Sequence, residues 1–260
     1  MCLIVFAYQT HPDFPLIVLA NRDEFYDRPT RPLSHWPDAP GLYAGRDLLA
    51  GGTWLGIHET GRFAAITNYR EGTAASVPGY SRGALTRDYL TGSQDALSYL
   101  SELDKNASRY PGFNLVLADK QGLYYYSNRA AGIRTLTPGI YGLSNALLDT
   151  PWPKLTKTRE ALATLLEHTV SLEALRKPML DATRPAIETL PDTGVGTALE
   201  QLLSSAFIES ETYGTRATSV LLQAQTGATS LYEFSYPATE SNQPVHISLV
   251  LPVFGRQEST

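Results

Sequence analysis

The sequence predicts an α+β fold built on antiparallel sheets. The predicted strands follow one another in hairpins, the predicted helices come in clusters, and no segment shows the regular strand–helix–strand alternation of a parallel sheet. The chain has 260 residues, which is enough to bury a large core, and no internal repeat, low-complexity tract or block of charge divides it. We therefore predict a single domain over residues 1–260.

The N-terminal half is predicted to consist mainly of strands. Met1–Tyr8 and Pro15–Ala20 form a hairpin around the turn His11-Pro12-Asp13. Residues 21–50 are rich in Pro, Arg, Asp and aromatic residues, which indicates a long functional loop. The elements predicted next are the strands Trp54–His58 and Phe63–Asn68, the helices Ser81–Thr91 and Gln94–Leu103, and the hairpin strands Phe113–Asp119 and Leu123–Asn128.

The C-terminal half is predicted to start with a strand over Ile140–Ser144, continue with helices and return to strands. Its strongest helix is Pro153–His168, where leucines recur on one face and two prolines mark the start. The remaining elements are the helices Leu172–Asp181 and Thr197–Phe207 and the strands Arg216–Ala224, Ser230–Ser235 and His246–Leu251. The tail Arg256–Thr260 is expected to fray.

Charge and hydropathy exclude several classes of protein. The chain has 21 Lys and Arg against 26 Asp and Glu, a net charge of −5, which does not suit a nucleic-acid partner. No apolar stretch approaches the roughly 20 residues of a membrane helix. The first residues also lack the basic and apolar regions of a signal peptide. We expect a cytoplasmic protein without a transmembrane segment, and the sequence leaves its oligomeric state open.

Common catalytic and metal-binding motifs are absent. Gly51–Gly56 lacks the lysine and the spacing of a phosphate-binding loop, and Gly142–Ala146 ends in Ala where a nucleophile elbow requires Gly. The five histidines are scattered without the spacing of a zinc-binding helix. We therefore predict no metal site.

The single cysteine, Cys2, allows two interpretations. A free cysteine most often behaves as a small buried hydrophobic residue, here at the start of a strand. Alternatively, Met1 is removed during maturation, because Cys is small enough to permit it. Cys2 would then carry a thiol nucleophile and an α-amine with a pKa of about 7.7–8.0, which can act as a general base near neutral pH.

Polar residues stand at the ends of several apolar strands. Asn21-Arg22-Asp23-Glu24 follows the second strand, Asn68 and Asn145 end later strands, and Arg216 begins another. Singly, each residue is explained by capping of strand ends. Together they provide the groups that acyl transfer needs: a cation to stabilise a thiolate, a carboxylate to orient an amine, and amides to donate to an oxyanion.

These residues belong to motifs that resemble one family. The motifs are Met1-Cys2, Leu19–Tyr26, Gly51–Gly56, Thr67–Tyr69, Tyr141–Asn145 and Tyr213–Arg216. Together they resemble the NRDE family, the transport-and-Golgi-organisation proteins, from residue 1 to residue 216. That family is similar in layout to N-terminal-nucleophile hydrolases of the cholylglycine hydrolase and penicillin V acylase type. The resemblance implies a four-layer αββα sandwich of two antiparallel sheets.

The resemblance also implies roles for individual residues. It places Cys2 at the nucleophile, and Asp23 or Glu24 at the acidic residue after the second strand. Asn68 and Asn145 fall at the two asparagines that flank the nucleophile and oxyanion, and Arg216 falls at an arginine near the thiol. Asn21 stands where the hydrolases carry an arginine. Arg22 can supply that positive charge only if the alignment of this strand with the hydrolases shifts by one residue. A shift of one residue on a strand reverses the face of the side chain.

Two functions follow from these observations. The first is cysteine-dependent hydrolysis of an amide or thioester in a small apolar molecule, which requires no cofactor. The second is non-catalytic trafficking of haem or an acyl lipid, which the family resemblance implies. In the second case the ligand-contacting residues would be Trp36, Trp54, Tyr69 and Trp152, with Arg22, Arg28 or Arg46 for carboxylates. The aromatic residues are equally explained as core packing.

Overall fold

The computed structural model describes residues 2–72, 80–236 and 243–255. In these ranges the strands are β1 Cys2–Tyr8, β2 Leu16–Phe25, β3 Thr30–His35, β4 Leu42–Asp47, β5 Leu55–His58, β6 Arg62–Asn68, β7 Phe113–Asp119, β8 Gly122–Ser127, β9 Arg134–Thr135, β10 Gly139–Leu143, β11 Tyr213–Gln223, β12 Ala228–Ser235 and β13 Val245–Val250. The α-helices are α1 Arg82–Thr91, α2 Ala96–Asp104, α3 Pro153–Leu166, α4 Leu172–Arg176 and α5 Thr197–Leu202. Short 3-10 helices span Ala107–Arg109, Lys177–Leu180 and Ile187–Thr189.

The strands form two antiparallel sheets. One sheet has six strands in the order β10-β1-β2-β11-β12-β13, and the other has seven in the order β3-β4-β5-β6-β7-β8-β9. Most neighbours are joined by hairpins, whereas β1–β10 and β2–β11 are paired over long sequence separations. Both β1 and β2 are therefore internal strands, paired on both sides.

The sheets and helices make four layers. Helices α1 and α2 pack on the seven-stranded sheet, α3 and α4 pack on the six-stranded sheet, and the two sheets pack face to face. Alternate residues of β1 belong to different cores: Ile4 and Phe6 face the other sheet, and Leu3 and Val5 face α3 and α4. A strand buried on both faces needs a continuous apolar sequence. The predicted αββα sandwich is confirmed.

One expectation from the sequence is wrong. Residues 21–50 do not form a loop, because residues 21–25 complete β2 and the rest contains β3 and β4. Strand β3 is at the edge of its sheet, its register shifts between Arg31 and Ser34, and Arg31 and Pro32 are exposed. An edge strand tolerates proline and charge, so its sequence lacks the apolar alternation of an internal strand.

The predicted helices keep their positions but several end earlier. Helix α4 gives way to a 3-10 helix at Lys177, next to Pro178, which has no amide hydrogen for an α-helical bond. Helix α5 ends at Leu202, after which the hydroxyls of Ser204 and Ser205 donate to backbone carbonyls. The predicted frayed tail, Arg256–Thr260, lies outside the described residues. Among the described residues, no helix is long and apolar enough to cross a membrane.

Candidate functional site

Cys2 and Arg22 project from the same face of the six-stranded sheet. They are directly opposite each other in the antiparallel β1–β2 pair, and this face is the one that meets the second sheet. Asn21 pairs with Leu3 and therefore faces the α3 and α4 layer. The register thus places the guanidinium of Arg22, and not the side chain of Asn21, on the side of the thiol.

A cavity of about 360 Å³ opens beside Cys2. From the six-stranded sheet and the chain that follows β2, the lining includes Cys2, Arg22, Asp23, Glu24 and Arg28. From the seven-stranded sheet, the start of α1 and adjoining segments, it includes Asp47, Ala50, Thr53, Trp54, Ile66, Asn68, Tyr80, Ser81, Arg82, Gly83 and Pro111. The cavity lies between the two sheets and is large enough for a small organic ligand. Six of the predicted site residues, Arg28 and Trp54 among them, share it with Cys2.

The thiol of Cys2 is partly buried. Burial raises its pKa above the ordinary value, Asp23 and Glu24 raise it further, and Arg22 opposes the rise. The thiol is therefore mainly protonated near neutral pH, and a base is needed to generate the thiolate.

Asn68 and Asn145 have different places at the site. Asn68 lines the cavity, and its side chain has no hydrogen-bond partner among the described residues. Asn145 is buried beside the cavity, and its amide nitrogen donates to the backbone oxygen of Asn68 at 3.0 Å. The amide of Asn68 can therefore donate to a ligand, whereas that of Asn145 holds the end of β6 in place.

Asp23 lines the cavity and also belongs to a buried polar group with Thr215 and Lys154. Its Oδ1 accepts a hydrogen bond from Thr215 at 2.7 Å, and burial raises its pKa against the opposing charge of Lys154. Lys154 is also buried and donates to the carbonyl of Leu203 at 2.7 Å. Burial lowers the pKa of this amine to about 8. This group packs between the sheet and α3, so the strand that carries Asp23 has a fixed position.

The acidic and basic side chains in the cavity form a network centred on Asp47. Arg28 donates to Asp47 at 2.6 Å and lies 3.7 Å from Glu24, and Arg22 lies 3.7 Å from Asp47. Burial raises the pKa of Asp47, but hydrogen bonds from Arg28 and from nearby backbone amides outweigh it, so the pKa is below the ordinary value. Arg22 also stacks over Trp54, 4.4 Å from the ring centroid. Two of the cavity's arginines are thus neutralised by carboxylates.

The Gly51–Gly56 motif fixes the start of α1 against the cavity. The amide of Thr53 donates to the carbonyl of Gly83 at 3.1 Å. A β-carbon on Gly52 would overlap the carbonyl carbon of Gly83, so only glycine allows this approach. Ser81, Arg82 and Gly83 consequently line the cavity.

Several predicted residues lie outside the cavity. Asn21 is buried and donates to the carbonyls of Met179 and Ala206 on the helix side of the sheet. Arg216 is at a bulge in β11 and donates to the carbonyls of Phe25 and Arg28. Four more predicted residues are absent from the cavity lining as the described residues form it: Tyr69, Trp152, Trp36 and Arg46. Trp36 and Trp152 are core residues, each stacked under an arginine.

Sequence reasoning missed two charged residues of the site. Asp47 falls in the segment that the sequence predicts to be a loop, and Arg82 falls in a predicted helix with no motif to mark it, yet both line the cavity. The sole signal for Arg82 in the sequence is its position at the first turn of that helix. Among the described residues, no group of three or more His, Cys, Asp and Glu side chains is placed to hold a metal ion. Of the side-chain types that ligate haem iron, the cavity has Cys2 and Tyr80.

The sequence of this chain matches a family model and several known proteins. The family model described as Transport and Golgi organisation 2 matches residues 1–237. The mouse Transport and Golgi organization 2 homolog is 34% identical over 257 residues, 90% of this chain and 93% of the mouse protein. The human homolog is 35% identical over 244 residues, 85% of this chain and 88% of the human protein.

Solved structures are more distant. A variant of the conjugated bile acid hydrolase of Clostridium perfringens is 10% identical with a TM-score of 0.49, and the match covers 95% of this chain and 92% of that one. The Caenorhabditis elegans ortholog of N-acylethanolamine-hydrolyzing acid amidase is 14% identical with a TM-score of 0.47, over 71% of this chain and 87% of that one.

The fold and site define a four-layer α+β protein with a cysteine-containing cavity between its sheets. The sequence matches define its family. The chain belongs to the Transport and Golgi organisation 2 family, in agreement with the resemblance found in its motifs.

Proposed function

We propose that this protein hydrolyses an amide or a thioester of a small apolar molecule, with Cys2 as the nucleophile. The observation that carries the proposal is the position of Cys2: its thiol lines a cavity together with Arg22 and Asn68. A cysteine needed only for packing would not require a cavity lined by charged groups. The apolar side chains of Trp54, Ile66 and Pro111 in the same cavity suit an acyl chain.

The proposed reaction begins with removal of Met1, which makes Cys2 the N-terminal residue. The pKa of the thiol is raised by burial, so the thiol needs a base. The new α-amine, with an ordinary pKa of about 7.7–8.0, can take the thiol proton. Asp23, buried behind Cys2, is the carboxylate that would orient this amine.

The thiolate then attacks the carbonyl carbon and forms a carbon–sulfur bond. The amide of Asn68 donates to the developing oxyanion. The C–N or C–S bond of the substrate breaks, and the leaving group takes the proton from the α-ammonium. Water attacks the acyl-enzyme and gives its proton to the amine, releasing a carboxylic acid and the free thiol.

The test combines intact mass with turnover. Wild type and Cys2→Ala are incubated with the S-phenyl thioester of pentanoic acid, and thiophenol release and protein mass are followed. We expect wild type to lack Met1, to gain one pentanoyl group and to turn over. Cys2→Ala should gain no pentanoyl group and show no turnover, while keeping the same circular dichroism spectrum. Equal turnover by both proteins, or no acylation of wild type, would contradict the proposal.

A non-catalytic carrier of haem or an acyl lipid is the second candidate. The apolar wall of Trp54, Ile66 and Pro111 favours it, because binding alone needs such a surface and no nucleophile. This function predicts that Cys2→Ala binds its ligand as wild type does. For haem, the absorption spectra of loaded wild type and Cys2→Ala would differ only if the thiol ligates the iron.

A further inference from the structure

Arg82 differs from the other arginines of the cavity. Arg22 and Arg28 lie within 4 Å of carboxylates, as described above. Arg82 forms no ion pair with any described residue, and the adjoining segment 73–79 contains no Asp or Glu. Glu24 and Glu71 are near enough to favour its charged form, but Glu24 pairs with Arg28 and Glu71 with Arg129.

Arg82 is also able to bind a ligand. Its Nη1 donates to the carbonyl of Gly112 at 3.1 Å, which fixes one end of the guanidinium. The group has five N–H donors in a planar fork, and none of its other nitrogen atoms is sealed from solvent. A guanidinium held in this way matches the geometry of a carboxylate.

The surroundings of Arg82 place a bound anion close to the reacting thiol. Arg82 shares the cavity with Cys2. The approach of Gly52 to Gly83 holds the first turn of α1 there. The amino end of that helix carries partial positive charge, which adds to the attraction for an anion.

We propose that Arg82 binds a carboxylate of the substrate, so that the substrate is an acyl compound with a negatively charged group in the same molecule as the bond that Cys2 attacks. This inference rests on the proposed function, because it assigns the substrate class of the same site. In the reaction, Arg82 orients the substrate and takes no part in proton transfer.

The test compares charged and neutral probes of equal length. The probes are the S-phenyl monothioesters of succinic, glutaric and adipic acids, each paired with its methyl ester at the other end. Wild type, Arg82→Gln, Arg82→Lys and Arg62→Gln are assayed by thiophenol release. Arg62 is the matched control, since it also donates to backbone carbonyls but lies outside the cavity.

We expect wild type and Arg62→Gln to favour at least one carboxylate probe over its methyl ester in kcat/KM. Removing a hydrogen bond to a charged group lowers affinity by about 10- to 100-fold, so Arg82→Gln should lose that preference, chiefly through KM. Arg82→Lys should keep part of it. The proposal would be overturned if Arg82→Gln lowered kcat/KM equally for the carboxylate probe and its methyl ester. It would also be overturned if wild type did not prefer any carboxylate probe over its methyl ester.

A separate binding measurement distinguishes failure of this inference from failure of the proposed function. If no probe is turned over in a Cys2-dependent manner, the proposed hydrolytic function is rejected. Binding of succinate, glutarate and adipate to Cys2→Ala is then measured by calorimetry, with and without Arg82→Gln. Binding that requires Arg82 supports the anion site independently of hydrolysis, and binding that does not require it, or no binding, rejects it.

Discussion

The side-chain amide of Asn145 donates to the backbone oxygen of Asn68 at 3.0 Å and so joins the chain after β10 to the end of β6. These strands belong to different sheets. The bond therefore ties the two sheets together at the edge of the cavity. It also separates the roles of two asparagines that look equivalent in the sequence.

We expect Asn68→Ala and Asn145→Ala to have different effects. Asn68→Ala removes a cavity amide, so the rate of Cys2-dependent hydrolysis should fall by roughly 10²–10³ with little change in stability. Asn145→Ala leaves a backbone oxygen without its donor and should lower the free energy of unfolding by about 1–3 kcal/mol. Steady-state kinetics and urea unfolding measure the two effects. Unchanged kinetics in Asn68→Ala would mean that Asn68 only caps the end of β6 and does not donate to the oxyanion.

The pairing of Arg22 with Cys2 predicts the titration of the thiol. Arg22 lowers the pKa that burial raises, so Arg22→Gln should move the pH midpoint of Cys2 alkylation by iodoacetamide upward. Cys2 is the chain's single cysteine, so no other thiol contributes. Arg28→Gln is the control, because Arg28 bonds Asp47 in the same cavity. An equal midpoint in Arg22→Gln and wild type would show that Arg22 does not lower the pKa of the Cys2 thiol.

The hairpins could be predicted from sequence because they depend on local signals. The turn at His11-Pro12-Asp13 joins two apolar runs, and these are β1 and β2 in the structure. The same signals could not decide between Asn21 and Arg22 as the partner of the thiol. That choice depends on a register of one residue, and the structure pairs Arg22 with Cys2.

The rest of the site depends on contacts between distant segments. Nothing local to Arg82 indicates which sheet α1 covers or which end of the helix meets the cavity. The family resemblance places Arg216 near the thiol. A bulge at that position instead directs its guanidinium to the carbonyls of Phe25 and Arg28, and sequence periodicity does not reveal a bulge.

The buried ion pair of Arg70 and Glu200 gives a prediction about stability. Their closest nitrogen and oxygen are 2.5 Å apart, and both side chains are buried. Glu200→Ala leaves a buried guanidinium without its carboxylate and should lower the free energy of unfolding by about 3–5 kcal/mol. The exposed pair of Lys105 and Glu102 is the control, and Glu102→Ala should cost less than about 1 kcal/mol. Urea unfolding of both variants checks this, and similar losses would show that burial does not matter here.

Glu233 predicts a pH dependence of stability. It is buried and lines a small cavity together with Arg22 and Trp54, and its Oε1 accepts a hydrogen bond from the amide of Leu33 at 2.7 Å. Burial raises its pKa from 4.5 to about 7, although the Leu33 amide and Arg22 oppose the rise. The folded protein therefore holds this proton more tightly than the unfolded chain does.

The sign of the effect follows from this difference. The stabilisation is complete below pH 4.5 and is lost as the pH rises to about 7, with a size on the order of 3 kcal/mol. Glu233→Gln cannot ionise, so its free energy of unfolding relative to wild type should increase between pH 5 and pH 8. Exposed Glu188→Gln serves as the control and should show no such change. Urea unfolding at both pH values measures the difference, and a constant offset between Glu233→Gln and wild type would exclude ionisation of Glu233 as its source.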